Sequence, residues 1–112
     1  MPSYITMPKF MRVIVFFDLP VTTKEERKVA TKFRKSLIDD GYYMVQFSVY
    51  ARLCGGVDSA NDVVNRLKRN APKDGSIRCM TVTEKQYAQM KVIVGSPKKS
   101  EKPSEFYQMS FL

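Results

Sequence analysis

The apolar positions of the chain change period several times, and each change marks an element. Residues Phe10 to Phe17 (FMRVIVFF) form an almost unbroken β-branched and aromatic run, the pattern of a strand buried on both faces. The run stops at Asp18-Leu19-Pro20, where a proline without an N–H ends ladder pairing and turns the chain. Thr22 and Thr23 each stand three residues ahead of a glutamate, Glu25 and Glu26. That is a capping box in either register, so a helix begins here. At about 100° per residue, Val29, Ala30, Phe33 and Leu37 share its core face, and Ile38 falls off it. Gly41 supplies a left-handed cap after Asp40.

Tyr42 to Leu53 (YYMVQFSVYARL) alternates at period two, with Val45, Phe47, Val49 and Ala51 on one side and Met44, Gln46, Ser48 and Tyr50 on the other. It reads as one long strand, or as two short strands joined by a turn that no residue marks. Gly55-Gly56 breaks the chain, and Asp58 or Ser59 can cap a second helix carrying Ala60, Val63, Val64 and Leu67 at helical spacing. Ala71-Pro72-Lys73-Asp74-Gly75 ends it with turn chemistry. Ile77 to Val82 is a further strand, Glu84 to Gln89 one helical turn, and Lys91 to Val94 a short last strand. This β-α-β(β)-α-β order predicts an α+β, ferredoxin-like βαββαβ fold: an antiparallel sheet with two helices on one face and the first strand in the centre. Residues 1–10 read as a leader, 11–95 as the domain, and 96–112 as a Lys-, Ser- and Pro-rich linker with an apolar docking tip. Met7 and Met11 are each possible alternative starts.

With 112 residues the chain supports one core, and pairing into a homodimer would bury more of its surface. Nineteen Lys plus Arg against eleven Asp plus Glu leave a net charge of +8, which favours phosphate-rich or acidic partners. Two cysteines far apart and no histidine argue against a zinc site or Cys–His catalysis, and fit reduced thiols in a cytoplasmic protein. No apolar run reaches the length of a membrane span.

Asp18 stands out by position, just past the end of a buried central strand. A rigidly held carboxylate suits a hard divalent cation such as Mg2+; a turn aspartate before proline can equally cap backbone amides. One carboxylate is too little for a phosphodiesterase centre, and a two-fold dimer would bring Asp18 and its mate together. Lys24, Arg27, Lys28, Lys32, Arg34 and Lys35 cover the outer half of the first helix, and Arg66, Lys68, Arg69 and Lys73 the end of the second. From these, Lys24, Arg27, Lys28, Lys35, Arg66 and Arg69 are the candidate phosphate contacts; an ordinary solvated face is the other reading. Lys98, Lys99 and Lys102 add charge in the tail, whose Phe106, Tyr107, Met109, Phe111 and Leu112 are candidates for docking on a partner. Tyr42, Tyr43 and Tyr50 serve either as base-stacking surfaces or as core and dimer contacts.

The strand RVIVFFDLP, the helix ERKVATKFRKSLIDDGYY and the segment VQFSVYARL resemble the Cas-two family, the second of the two core CRISPR adaptation proteins. The likeness runs from Met11 to about Val94, and the strand-end aspartate with the Q-x-S-V-aromatic segment Gln46 to Tyr50 carries it. The resemblance implies a ferredoxin-like homodimer with an additional C-terminal strand crossing to the partner. It implies that Asp18 matches the family's metal-binding aspartate, one from each subunit, in a magnesium-dependent endonuclease acting on single-stranded RNA or double-stranded DNA. It also implies spacer acquisition, with protospacer DNA scaffolded between copies of the CRISPR integrase subunit. Phe17 stands where many members carry tyrosine, so a role for that hydroxyl is lost. A scaffold without catalysis, and an RNA-cleaving ferredoxin-like dimer outside CRISPR, are the alternatives.

Overall fold

The computed structural model describes residues 9–96. The elements are β1 (Met11–Asp18), α1 (Lys24–Asp39), β2 (Tyr43–Gln46), β3 (Val49–Cys54), α2 (Val57–Asn70), β4 (Ser76–Thr83) and α3 (Glu84–Ala88). The strands form one antiparallel sheet in the order β2-β3-β1-β4. β1 is therefore central, pairing Val15 with Tyr50 on one side and Cys79 on the other. The apolar run that predicted a strand buried on both faces has this physical cause: each of its edges is paired and most of its side chains are covered.

Both long helices cover the same face. Val13, Val15 and Phe17 of β1 pack with Ala30, Phe33 and Leu37 of α1 and with Ala60, Val63 and Leu67 of α2. Burial of each such aliphatic or aromatic side chain contributes about 1.5–3 kcal/mol. Phe17 meets the edge of Phe33 at 5.1 Å. Of the two capping registers, the second forms. Thr23 Oγ1 accepts from the Glu26 amide at 3.0 Å, while Glu26 Oε1 accepts from the Thr23 amide at 2.9 Å. At the other end Gly41 takes φ 98° and its N–H donates to the Ile38 carbonyl, closing the helix.

Three expectations change, and one choice left open by the sequence is decided. Val29 is exposed, because the packed stripe of α1 follows Ala30, Phe33 and Leu37 and leaves Val29 against the loops beside the helix start. Tyr42 to Leu53 is two strands, and the hairpin turns at Phe47-Ser48 with Ser48 at φ 63°. A left-handed serine does the work usually given to glycine or asparagine, so the sequence carries no turn mark. The second helix starts earlier than expected, at Val57 behind Gly56, with no side-chain cap. Lys91 to Val94 forms no strand, and Ile93 and Val94 are 86% and 90% exposed: among the described residues no strand lies alongside to supply its hydrogen bonds. Tyr42 and Tyr50 are buried and Tyr43 half-buried, which makes them core residues. The tail residues 97–112, including Phe106, Tyr107, Met109, Phe111 and Leu112, lie outside the described residues, as does most of the leader.

The sheet face away from α1 and α2 carries a second, smaller core of Ile14, Ala51 and Tyr87, flanked by Tyr43, Val45, Val49 and Val82. Arg12 stands in it, 1% exposed, against Glu84, 2% exposed. Arg12 Nε donates to Glu84 Oε1 at 2.5 Å and Nη2 to Oε2 at 2.7 Å, a bidentate pair. The guanidinium also donates to the Tyr43 hydroxyl and lies 4.5 Å from the centre of the Tyr87 ring. Burial pulls the Arg12 pKa down, but the bond to Glu84 and the contact with Tyr43 outweigh it, and the net shift is upward. Arg12 thus stays charged at every pH the fold meets, and the pair ties α3 to the central strand.

Glu84→Ala leaves a buried guanidinium without its carboxylate, and is expected to lower the unfolding free energy by about 3–5 kcal/mol. Arg12→Met combined with Glu84→Met should recover much of that loss. Urea denaturation of the single and double variants measures the coupling; strictly additive losses would show that the pair is not coupled.

Candidate nucleic-acid interface and metal-binding carboxylate

Asp18 is the last residue of β1, opposite Ser76 of β4. Phe17 and Leu19 on either side of it are buried in the helix-side core, so strand alternation directs the Asp18 side chain to the opposite face. That face also presents Phe16 and Met80, both substantially exposed. The backbone at this point is fixed from two directions. The Phe17 amide donates to the Ser48 carbonyl at 3.1 Å. Gly75, at φ 95°, brings the turn before β4 so close that a Cβ there would lie 2.8 Å from the Asp18 carbonyl oxygen and from Leu19 Cδ2.

The carboxylate itself is solvent-exposed, an oxygen donor of the kind magnesium accepts alongside waters and phosphate oxygens. Among the described residues no three His, Cys, Asp or Glu side chains come together around a common point. Among the described residues of a single copy, Asp18 is thus not a member of any such group. Glu25, Glu26 and Asp74 lie nearby, lining a cavity of ≈ 370 Å³ with Leu19, Pro20 and Lys73, but Glu26 is occupied by the helix cap.

The candidate cations fall into two sets. Lys24, Arg27, Lys28 and Lys35 are exposed and run along one stripe of α1, where with Thr31 and Lys32 they line a shallow open groove. Spacings of three and four residues stack them on one side of the helix. Arg27 is held in place by donating to the Val21 and Thr22 carbonyls at 3.2 and 3.0 Å. Lys35 meets Asp39 at 3.0 Å, with both side chains well exposed, a pair that solvent and salt screen. Arg66 is spent differently. It forks onto Asp40 at 3.0 Å, its pKa is raised by that hydrogen bond, and it ties α2 to the end of α1. Arg69 is exposed in the last turn of α2.

Three features of this region were not singled out in the sequence: Phe47, Arg34 and Gly75. Phe47 is a turn residue, 83% exposed, where the alternating pattern had put it on one side of a strand with Val45, Val49 and Ala51. Arg34 stood among the basic residues of α1 without distinction. Gly75 was read as generic turn chemistry, and its close approach to Asp18 depends on two segments far apart in the chain.

A family model described as CRISPR associated protein Cas2 matches residues 11–90. A protein of Acidovorax ebreus (strain TPSY), named CRISPR-associated endoribonuclease Cas2, is 53% identical over 92 residues, which cover 82% of this chain and 90% of that protein. A protein of the same name from Flavobacterium psychrophilum is 43% identical over 94 residues, covering 83% of this chain and 82% of that one. A solved structure described as a crystal structure of cas2 aligns with a TM-score of 0.54 at 23% identity, over 86% of this chain and 95% of that chain. At this identity the structural likeness speaks to the fold.

Gly75→Ala combines a left-handed backbone with a collision against the Asp18 carbonyl, and is expected to destabilise the protein by roughly 1–3 kcal/mol. Gly55→Ala, where nothing lies within 4 Å, serves as the control. Urea midpoints for both compare the two sites; equal losses would show that the approach to Asp18 carries no constraint.

Proposed function

Because the chain belongs to the Cas2 family of CRISPR-associated proteins, we propose that it works as a homodimeric, nucleic-acid-binding subunit of CRISPR adaptation with a magnesium-dependent endonuclease centre built on Asp18 from each copy. The observation that carries this reading is the company Asp18 keeps. It shares the sheet face away from α1 and α2 with the exposed apolar side chains of Phe16 and Met80. Water would be displaced from that strip by a second copy, and a two-fold contact there would bring a second Asp18 to the same interface. The relatives' name, CRISPR-associated endoribonuclease, supports the nuclease activity.

On this reading the paired Asp18 carboxylates hold the cation, and Gly75 and the Phe17–Ser48 bond keep each strand end in place. Magnesium, when bound, supplies Lewis-acid charge stabilisation at a phosphate and makes a bound water more acidic. The α1 stripe of Lys24, Arg27, Lys28 and Lys35 receives backbone phosphates without regard to sequence, from double-stranded DNA or from single-stranded RNA. The integrase subunit would be the further partner, and the apolar tail with Phe106 and Phe111 the segment that docks on it or on the second copy. The α1 stripe also favours a second reading, a scaffold for protospacer DNA that needs no chemistry of its own.

Asp18→Asn is expected to reduce divalent-dependent cleavage of RNA and duplex DNA to background, with the sedimentation behaviour of the protein unchanged. Cleavage retained by a nuclease-free preparation of that variant would remove Asp18 from the chemistry and leave the scaffold. Independently, Arg27→Glu with Lys28→Glu should weaken duplex binding and flatten the log Kd against log salt slope by about two. Filter binding across a salt series reads it, and an unchanged slope would overturn the α1 stripe as the phosphate contact.

A further inference from the structure

A second groove, of ≈ 540 Å³, opens on the helix side of the sheet between α1 and the β2–β3 turn. One wall is apolar, with Val21, Met44 and Phe47; the other carries Arg27, Thr31 and Arg34. Scattered apolar side chains are ordinary on a protein surface. Here three share one wall, all substantially exposed, and a strip of that kind marks a docking surface. Its rim is cationic. Arg27 is held by its bonds to the Val21 and Thr22 carbonyls, and Arg34 Nη2 donates to Thr31 Oγ1 at 3.3 Å. The occupant that fits is therefore an apolar segment with a negative charge beside it.

The chain itself carries such a segment close at hand. The described residues end at Ser96, which lines a cavity with Val45 and Gln46 of β2. Gln46 is the immediate neighbour of Phe47, and β2 is an edge strand, so only that edge stands between Ser96 and the groove. Beyond Ser96, Pro97 to Ser104 is a tether rich in Lys and Pro. Glu105 to Leu112 (EFYQMSFL) is an apolar tip whose one charged side chain is Glu105. Extended in the polyproline manner, the tether reaches roughly 25 Å, enough to round the strand edge. It also holds the tip at an effective concentration on the order of millimolar, which fills a site of modest affinity. We propose that the tip Glu105 to Leu112 folds back into this groove of its own chain, with its aromatic side chains against Phe47, Met44 and Val21 and Glu105 toward Arg34. This goes beyond the reading of the tail as a segment that docks on a partner: with no partner to hold it, the tip covers its own chain. Arg27 and Thr31 line both this groove and the open one along the α1 stripe. On the reading of that stripe as a phosphate surface, the docked tip withdraws Arg27 from nucleic acid.

The full-length protein, free of nucleic acid, is treated with chymotrypsin, and cleavage after Phe106 and Tyr107 is timed by mass spectrometry. A docked tip is cut only from its open population. Phe47→Ser and Arg34→Glu are therefore each expected to speed that cleavage roughly 5- to 100-fold, with cutting inside residues 9–96 unchanged. Glu105→Arg should do the same, and Glu105→Arg combined with Arg34→Glu should restore slow cleavage by reversing the pair. Equal rates in wild type and every variant would overturn the docking, and so would a double variant cut as fast as either single. Arg34→Glu chains refolded together with Glu105→Arg chains test whether the groove belongs to another copy. Slow cleavage regained in that mixture would overturn the return of the tip to its own chain. The effect on nucleic acid is read separately: Phe106→Ser should tighten binding of a blunt DNA duplex several-fold. An unchanged affinity, with the protease result intact, would take Arg27 out of the phosphate surface and leave the docking in place.

Discussion

Everything in this fold is hung on β1, an inner strand paired along its whole length with β4 and over six residues with β3. Its odd-numbered side chains, Val13, Val15 and Phe17, are the floor on which α1 and α2 pack. Its even-numbered side chains face the other way, where Arg12 and Ile14 hold α3 and Tyr87 in place. Its last residue is Asp18. The same eight residues therefore set the core, the second face and the position of the candidate metal ligand. A strand held this way cannot rotate or slip by one residue without inverting both faces, which is why a carboxylate at its end is presented from a rigid support.

Charge is used in two opposed ways. The Arg12–Glu84 pair is withdrawn from water and stabilises only because both partners are present with hydrogen bonds that satisfy them. The α1 stripe is left in solvent, where individual ion pairs contribute little to stability and cations remain available for phosphate. Arg66 stands between these uses. Its side chain is partly open, yet its fork is taken by Asp40, so its contribution goes first to the contact between the helices. Of the cations legible as basic residues in the sequence, those on α1 form a surface, and the pairing at Asp40 sets Arg66 apart from them.

The elements were readable because their causes are local. The capping box at Thr23 and Glu26, the Gly41 cap, the helical spacing of Ala60, Val63 and Leu67, and the twofold alternation around Tyr50 each act within a few residues. Where the cause was not local, the reading slipped or stayed open. The hairpin at Phe47-Ser48 has no glycine or asparagine to mark it, and Val29 lies on the apolar arc of α1 yet beyond the edge of the sheet contact. Lys91 to Val94 has the composition of a strand, but a strand also needs a neighbour.

By itself, the amino-acid sequence determined the order of elements, the helix-side core, the excess of positive charge and the aspartate at the end of an apolar strand, and with these the family to which the chain belongs. All of them follow from periodicity, turn chemistry and composition, which are properties of neighbouring residues. Only the tertiary structure decided that Arg12 is neutralised by Glu84, 72 residues away, that Gly75 presses against the Asp18 carbonyl, and that Phe47 lies beside Arg27 and Arg34. Those are meetings between segments distant in the chain, arranged by strand order and register, and no local pattern encodes them. Asp18 itself belongs to both accounts: its place at a strand end is written in the sequence, while its face, shared with Phe16 and Met80, is set by how that strand sits in the sheet.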